Sequence, residues 1–494
     1  MALAPFFERV YGALGGHLAV SRESLNTALE NIVVGLRCGD ELNQNDLWIA
    51  ELSTNLIARI YPRLLFLGPE KYCATLRELA LKINPNIEFV MDAPGATIIC
   101  VGAGCTSGVV FPSANGWVAH LDHSQKWCGG PTNPYAAGAA ATLACAEVFR
   151  RIFLKSPPER DIAVSLLNFD TETGATLDLV PIDLGDVLFV GVGAVGNAAL
   201  WPLARDVNLQ GKLSLVDSEE VSLSNLQRYV LTTYADVDCS KVLLGKQVLA
   251  NSRLTVDPNQ MTLEKFVDEH PASNIPVTVV SVDNIDGRRS AQALLPRLVI
   301  NGWTGDQALG ASWHVLSRDA ACLACLYHPH KQGSSAIEQA SKALGLSHDR
   351  TALLWVSRQP LSDDDLQLAA KALGVKKAVL KPWRGKTLGD LYTDVVCGAV
   401  PLDVTGVGKL ETVPLAHQSA LAGILMAAEL VKRSNAELSS LSQAEVLVSW
   451  DDVLREPPTI WAKPRAREKG CICGDPDYRQ VYLRKWEPNS AIQV

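Results

Sequence analysis

The chain has 494 residues, of which 48% are hydrophobic and 20% charged, and a formal net charge of −8 at pH 7. That length exceeds what one core usually organises and implies about two or three domains. The composition excludes a disordered scaffold, and a negative balance without a Lys/Arg cluster excludes an obvious nucleic-acid partner.

The N-terminus, MALAPFFERV, has no basic stretch followed by an apolar one, and no apolar run approaches the roughly 18 to 20 residues of a membrane span. A cytoplasmic protein without a membrane partner is expected. Apolar spacing of three to four residues over Asn26 to Val34 and Asp46 to Arg59 predicts helices as far as about residue 60. The pattern then turns α/β: Arg63 to Leu67 reads as a first strand, Tyr72 to Ile83 as a helix, and Ile87 to Val90 and Thr97 to Val101 as further strands. The 12 cysteines of a chain without a signal segment read as thiols or metal ligands rather than a disulfide framework. Cys73, Cys100 and Cys145 lie in apolar surroundings, where the thiol acts as a small hydrophobe. His120 and His123, near Trp117 and Trp127, suit a structural role. Asn133 to Arg151, NPYAAGAAATLACAEVFRR, predicts a small-residue helix closing on Glu147, Arg150 and Arg151.

The segment Leu188 to Lys241 carries the most chemistry. Val187 to Val190 reads as a buried strand, Gly191, Gly193 and Gly196 form G-x-G-x-x-G, and a helix-like pattern starts at Asn197. Such a turn brings backbone N–H groups and the positive end of a helix dipole against phosphate. A second strand, Lys212 to Val216, ends on Asp217, where a dinucleotide-binding enzyme would hold a ribose. Asn225, Arg228 and Lys241 follow. Two cations and an amide beside a ribose acid suit a triphosphate whose charge must be neutralised as pyrophosphate departs. A later apolar run, Val277 to Val282, leads into Asp283-Asn284, with Arg288 and Arg289 beyond.

The C-terminal part holds two cysteine pairs, Cys322-x-x-Cys325 and Cys471-x-Cys473. Four thiolates close a tetrahedral structural Zn²⁺ site; four reduced thiols are the alternative. His328 and His330 follow the first pair but are not needed as ligands. A small helical insert is expected from Ser347 to Lys381. The segment Pro414 to Arg433, PLAHQSALAGILMAAELVKR, echoes the earlier Ala-rich helix, closing on Glu429, Lys432 and Arg433. This self-similarity predicts two related halves.

The stretch 188 to 283 resembles the adenylation domain shared by ubiquitin-activating enzymes and the MoeB/ThiF sulfur-carrier adenylyltransferases, whose signature is G-x-G-x-x-G, D-x(7)-N-x(2)-R and a lysine. The resemblance implies that Gly191, Gly193 and Gly196 line an ATP site, Asp217 holds the ribose, Asn225, Arg228 and Lys241 the phosphates, and Asp283 the Mg²⁺. Arg228 and Lys241 would also be catalytic, stabilising charge on the reacting phosphates. It further implies an α/β, Rossmann-like adenylation fold, duplicated. The expected division is a helical region over 1–60, an inactive adenylation-like half over 61–180, and an active ATP-binding domain over 181–330. A helical insert over 331–400 then leads to the cysteine nucleophile, and 401–494 returns to the active domain with the second zinc cysteine pair. In the inactive half Gly68-Pro69 stands where the phosphate turn is expected. Fused halves supply their interface in cis, so a monomer is expected.

Thioester-forming relatives place their nucleophile between the C-x-x-C and the final small-residue helix. That position is Cys397, and Gly398 beside it eases close approach; Cys239, near Lys241, is the rival. The implied function is ATP-dependent adenylation of a ubiquitin-like protein, thioester formation on Cys397 and transfer to a ubiquitin-conjugating-type enzyme, with ATP, Mg²⁺ and Zn²⁺ as cofactors. The fused halves also resemble activating enzymes of bacterial ubiquitin-like operons, which implies a deubiquitinase-like peptidase nearby and a role in antiviral defence. The alternatives are a MoeB/ThiF-type sulfur-carrier adenylyltransferase and a non-catalytic module that docks a ubiquitin-like partner. An NAD-dependent dehydrogenase ranks last, for want of an acid–base pair on the hydride side.

Overall fold

The computed structural model describes residues 4–7, 10–11, 14, 22–124, 126–154, 161–170, 173–270, 274–305, 308–316, 320–328, 336–392, 395, 414–441, 447–451, 459–462 and 465–486. The chain divides into two compact units. One comprises Met1–Phe6, Asn26–Leu326 and Pro414–Val494, and the other Phe7–Leu25 and Tyr327–Val413.

The larger unit begins with strands β1 (Val34–Cys38), β2 (Arg63–Leu67), β3 (Glu88–Phe89) and β4 (Thr97–Val101), in the order β3-β2-β1-β4. All their pairings are parallel. The helix expected from Asp46 spans Gln44–Ile57, opened by Asn43, whose side chain accepts from the Asp46 N–H while Asp46 returns the bond. The expectation of helix alone up to residue 60 is corrected by β1, which occupies the interior of this sheet. Val34, Leu36 and Cys38 are buried there, and so short an apolar run cannot be assigned to strand or helix from periodicity. Arg63–Leu67 is therefore the second strand of its sheet. The turn after the first strand is Gly39-Asp40-Glu41, not Gly68-Pro69.

An antiparallel meander follows, β5 (Phe111–Asn115), β6 (Val118–Asp122) and β7 (Ile162–Ser165). A parallel bridge between Ile99 and Val110 links β4 to its start. Between these strands Cys100 and Cys105 are joined as a disulfide. Cys100 is thus not the free apolar thiol expected; Gly102 and Gly104, both at positive φ, let the chain reverse within five residues.

The second sheet contains β8 (Ile182–Val190), β9 (Leu209–Val216), β10 (Leu254–Asn259), β11 (Val277–Val280), β12 (Leu298–Thr304), β13 (Ala308–His314), β14 (Leu447–Asp451) and β15 (Thr459–Ala462). Their order is β10-β9-β8-β11-β12-β13-β14-β15. The first five of these are parallel and the remainder antiparallel. In both sheets the first strand lies between the second and the fourth. Strands buried on both faces read as continuous apolar runs, which is why Val187–Val190 and Val277–Val280 were visible in the sequence.

Two small-residue helices, Pro134–Phe149 and Ala416–Arg433, pack against each other and are buried almost throughout. Asn133 caps the first, accepting from the Tyr135 and Ala136 N–H groups, with Pro134 at its first position. The second lies close against the helix Ala194–Leu203. A side chain on Gly423 would meet Ala198 Cβ at 2.6 Å and the Ala199 nitrogen at 2.7 Å. Among the described residues no helix is long and apolar enough to cross a membrane.

In the smaller unit, helices Ala336–Leu344, His348–Ser357, Asp363–Ala372 and Leu388–Leu391 enclose a core of Leu344, Leu354, Leu366, Leu380, Trp383 and Leu388. Arg350 grips Asp365 with two hydrogen bonds, of 2.9 and 2.7 Å.

Candidate active site

The site forms where β8, β9 and β11 end side by side. Gly191 turns with φ +90°, and a side chain there would strike Val282 at 2.9 Å. Gly193 caps the helix Ala194–Leu203. A Cβ on Gly196 would run into the Gly191 carbonyl oxygen and lie 2.6 Å from Ser281 Oγ. The backbone thus folds tightly enough to leave N–H groups of the helix N-terminus for an anion. Ser281 Oγ donates to the Gly191 carbonyl at 2.6 Å and ties the turn to the segment after β11.

Asp217 stands directly beside this turn. One carboxylate oxygen accepts from the Val192 N–H at 2.7 Å and the other from Glu219 N–H at 2.9 Å. Burial raises its carboxyl above the ordinary value, opposed by Lys241 and by those two backbone donors. Lys241 opens the helix Lys241–Val248, is 4% exposed and ion-pairs with Glu219. Burial alone would depress its ammonium, yet Tyr229, Asp217 and Glu219 outweigh it and hold the group above its ordinary value. Its Nζ lies 5.3 Å from the Tyr229 ring centroid, and the Tyr229 hydroxyl is 3.5 Å from where a Gly193 side chain would begin.

Asn225 and Arg228 lie on one loop. Asn225 Oδ1 accepts from the Ser222 N–H at 2.9 Å, and the Asn225 carbonyl accepts from the Arg228 and Tyr229 N–H groups at 3.0 and 3.1 Å. The loop is tied down on several sides: Asn197 Oδ1 accepts from the Leu231 N–H at 2.8 Å, and Asn55 and Arg59 reach its carbonyls from the first half of the chain. Asp283 is exposed two residues beyond Ser281, and Asn284 caps the helix Ile285–Ala293 by accepting from the Gly287 N–H. Arg288 points away, buried on Asn301 and the Gly302 carbonyl, whereas Arg289 is exposed.

The structure therefore brings Asp217 to the turn of Gly191, Gly193 and Gly196, sets Lys241 beside Asp217, and ties the loop that carries Asn225 and Arg228 to the following helix through Asn197, with Asp283 after the neighbouring strand. Sequence reasoning missed Glu219, Tyr229 and Ser281. Tyr229 adjoins Arg228 in the motif and could have been flagged; Ser281 could not, since its role depends on strand adjacency. Cys239 is exposed and free, and its carbonyl accepts from the Val221 N–H. Cys397 lies outside the described residues, as does His330.

A second cluster lies where the C-terminal segment returns. The sulfurs of Cys322, Cys325, Cys471 and Cys473 are all buried and lie within 4.8 Å of one another. The pairs Cys322–Cys471 and Cys325–Cys473 are 3.6 and 3.3 Å apart. Four sulfurs bound tetrahedrally at about 2.3 Å from one ion would lie roughly 3.8 Å apart, so the donor set and spacing suit a metal. The two strands of chain involved are held together locally: the Glu468 N–H donates to Cys325 Sγ at 3.3 Å, and Trp486 Nε1 to the Leu295 carbonyl at 2.8 Å.

Comparison with known proteins agrees with this geometry. The model of the ThiF family matches residues 182–453, and that of Prokaryotic E2 family C matches residues 43–154. The uncharacterized protein y4jF of Sinorhizobium fredii (strain NBRC 101917 / NGR234) is 32% identical over the full length of both chains. The sulfur carrier protein ThiS adenylyltransferase of Escherichia coli (strain K12) is 33% identical over 22% of this chain and 43% of its own length. The NEDD8-activating enzyme E1 catalytic subunit of Dictyostelium discoideum is 30% identical over 24% of this chain and 27% of its own. Both enzymes are matched over less than half of their lengths.

Proposed function

Because the chain belongs to the ThiF family, we propose that its adenylation chemistry acts on the C-terminal carboxylate of a ubiquitin-like protein and continues to a thioester. The observation that carries this reading is that Asp217 accepts from the Val192 N–H of the glycine turn before the helix Ala194–Leu203 and lies close enough to Lys241 to raise its ammonium. ATP lays its phosphates over the N–H groups at the start of the helix Ala194–Leu203, with its ribose on Asp217. A carboxylate oxygen of the modifier attacks the α-phosphorus, the bond to the bridging oxygen of the β-phosphate breaks, and pyrophosphate leaves. An acyl adenylate remains. Lys241, Asn225 and Arg228 stabilise the charge that builds on the phosphate oxygens, Lys241 exchanging its Glu219 partner for phosphate.

Asp283, an exposed oxygen donor at the mouth, suits a hard cation and would hold Mg²⁺, which when bound neutralises charge on the departing phosphates. The four buried cysteines would hold a structural Zn²⁺. In the second step the Cys397 thiolate attacks the acyl carbon and AMP leaves, which divides one difficult acyl transfer into two easier ones. A conjugating-type enzyme then accepts the modifier on its own thiol.

Asp283→Ala should abolish modifier-dependent ATP–pyrophosphate exchange in a chain that stays folded, and exchange near the wild-type rate would overturn the adenylation site. Cys397→Ala should keep that exchange but lose the thiol-labile adduct with the modifier on a non-reducing gel. A thiocarboxylate product without any such adduct would favour the sulfur-carrier reaction.

The match of residues 43–154 to a prokaryotic E2 model favours a second reading, in which an acceptor thiol belongs to this same chain. Cys128 is the candidate. Cys73 and Cys145 are buried, Cys100 and Cys105 are paired, and Cys128 is only half-buried, in the segment between β6 and the helix Pro134–Phe149. A thiol-labile adduct that maps to Cys128 in the wild type and stays on Cys397 in Cys128→Ala would support it.

A further inference from the structure

The loop 222–232 carries Asn225 and Arg228 but belongs to neither sheet; after the 3-10 turn Leu223–Gln227 it has no regular structure of its own. What shapes it comes from far away in the sequence. Arg59, just past the end of the helix Gln44–Ile57, donates from one terminal nitrogen to the Leu226 carbonyl and from the other to the Thr232 carbonyl at 2.9 Å. Its Nε donates to Asn55 Oδ1 at 3.0 Å, and Asn55 Nδ2 donates to the Val230 carbonyl at 2.8 Å. Two side chains one helical turn apart therefore hold three carbonyls that bracket Arg228.

Arg59 is fully buried, and burial pulls its guanidinium below the ordinary range. Among the described residues no carboxylate pairs with it. Burying an arginine without a counter-charge is costly, and the carbonyl dipoles of this one loop are what offset it. A planar fork sends fixed donors from separate nitrogens to carbonyls six residues apart, whereas the three donors of a lysine radiate from a single nitrogen.

We infer that Arg59, supported by Asn55, is a positioning residue through which the first half of the chain holds the loop 222–232 in the shape that places Asn225 and Arg228 on the β- and γ-phosphates of ATP. This rests on the proposed adenylation site. The two residues touch no nucleotide themselves. Removing them should weaken a ligand that uses the loop and spare one that uses only the glycine turn and Asp217.

The test is calorimetric titration of Mg·ATP and, separately, AMP into the full chain, as wild type, Arg59→Lys and Asn55→Ala, with melting temperatures alongside. Loss of one or two buried hydrogen bonds should weaken ATP by about tenfold or more, while AMP affinity stays within about twofold of wild type. ATP affinity within about twofold of wild type in folded variants would overturn the inference, and so would equal weakening of ATP and AMP, which marks a merely structural contact. If Arg59→Lys fails to fold, Asn55→Ala decides alone, since it removes one anchor and leaves Arg59 on two carbonyls. A wild-type chain that binds no ATP removes the adenylation reading and this inference together. ATP binding by the wild type with unaffected variants removes only this inference.

Discussion

The first four strands of the two larger sheets are wired alike and equipped differently. In each, the first strand lies between the second and the fourth, a helix follows it, and a buried small-residue helix packs behind. The ends of those two helices also correspond. Glu147 pairs with Arg150 at 2.6 Å and Arg151 at 2.7 Å, and Glu429 with Lys432 and, at 3.3 Å, Arg433, in the same i+3 and i+4 spacing. The first turns differ in chemistry. After β8 the backbone turns through Gly191, Gly193 and Gly196; after β1 it presents Asp40 and Glu41, whose charge repels phosphate. A like strand order thus carries different turn chemistry in the two sheets, and Arg59 and Asn55 join the first to the loop that flanks the second.

The comparison is broken most decisively at the glycine turn. Gly196→Val should abolish ATP binding, because even a Cβ there meets the Gly191 carbonyl oxygen and Ser281 Oγ, whereas Asp40→Ala with Glu41→Ala should leave one ATP bound per chain. Calorimetric stoichiometry reads both, and two ATP per chain would end the asymmetry.

The helix ends come next. Lys432 is fully buried and donates to the Leu166 and Leu167 carbonyls, at 2.7 and 3.1 Å, as well as to Glu429. Lys432→Met leaves the buried Glu429 carboxylate with Arg433 alone and takes the donor from two buried carbonyls, and should cost about 3–5 kcal/mol in denaturant unfolding. Glu147→Gln leaves two arginines beside a neutral amide and, with Arg151 partly exposed, should cost less. Equal losses would make the two ends energetically equivalent.

The cysteine cluster distinguishes the halves in another way. Metal analysis should find about one zinc per chain, and a chelator should lower the melting temperature by several degrees, since assembling such a site is linked to folding. Hydrogen exchange should rise first in the helix Pro476–Trp486 and not in Gln44–Ile57. Fully stable protein without metal would contradict this.

The smallest effect is a slope. Burial, then Asp161, push the Asp122 carboxyl up to about 6, against Lys126 and His123. The folded chain therefore holds a proton that the unfolded chain releases near pH 4, so stability should fall as pH rises from about 4 through 6. Asp122→Asn should flatten that part of the stability profile, and an unchanged slope would show that the carboxyl titrates normally.

Much of this molecule is decided locally and was legible in the sequence. The glycine spacing, the acid ending β9, the apolar runs of the buried strands, the cysteine pairs and the echoing Ala-rich helices all follow from backbone sterics, strand burial or short-range ligand geometry, which neighbouring residues report. Only the tertiary structure decided the rest. β1 was hidden because five residues carry too little periodicity to declare a strand. Glu219 on Lys241, Ser281 on Gly191 and the disulfide at Cys100 depend on which segments the topology sets side by side. Arg59 lies 167 residues from the Leu226 carbonyl it holds, and it looked like the end of an amphipathic helix because a hydrogen bond to a main-chain carbonyl asks nothing of the partner's side chain and so leaves no mark on the partner's sequence.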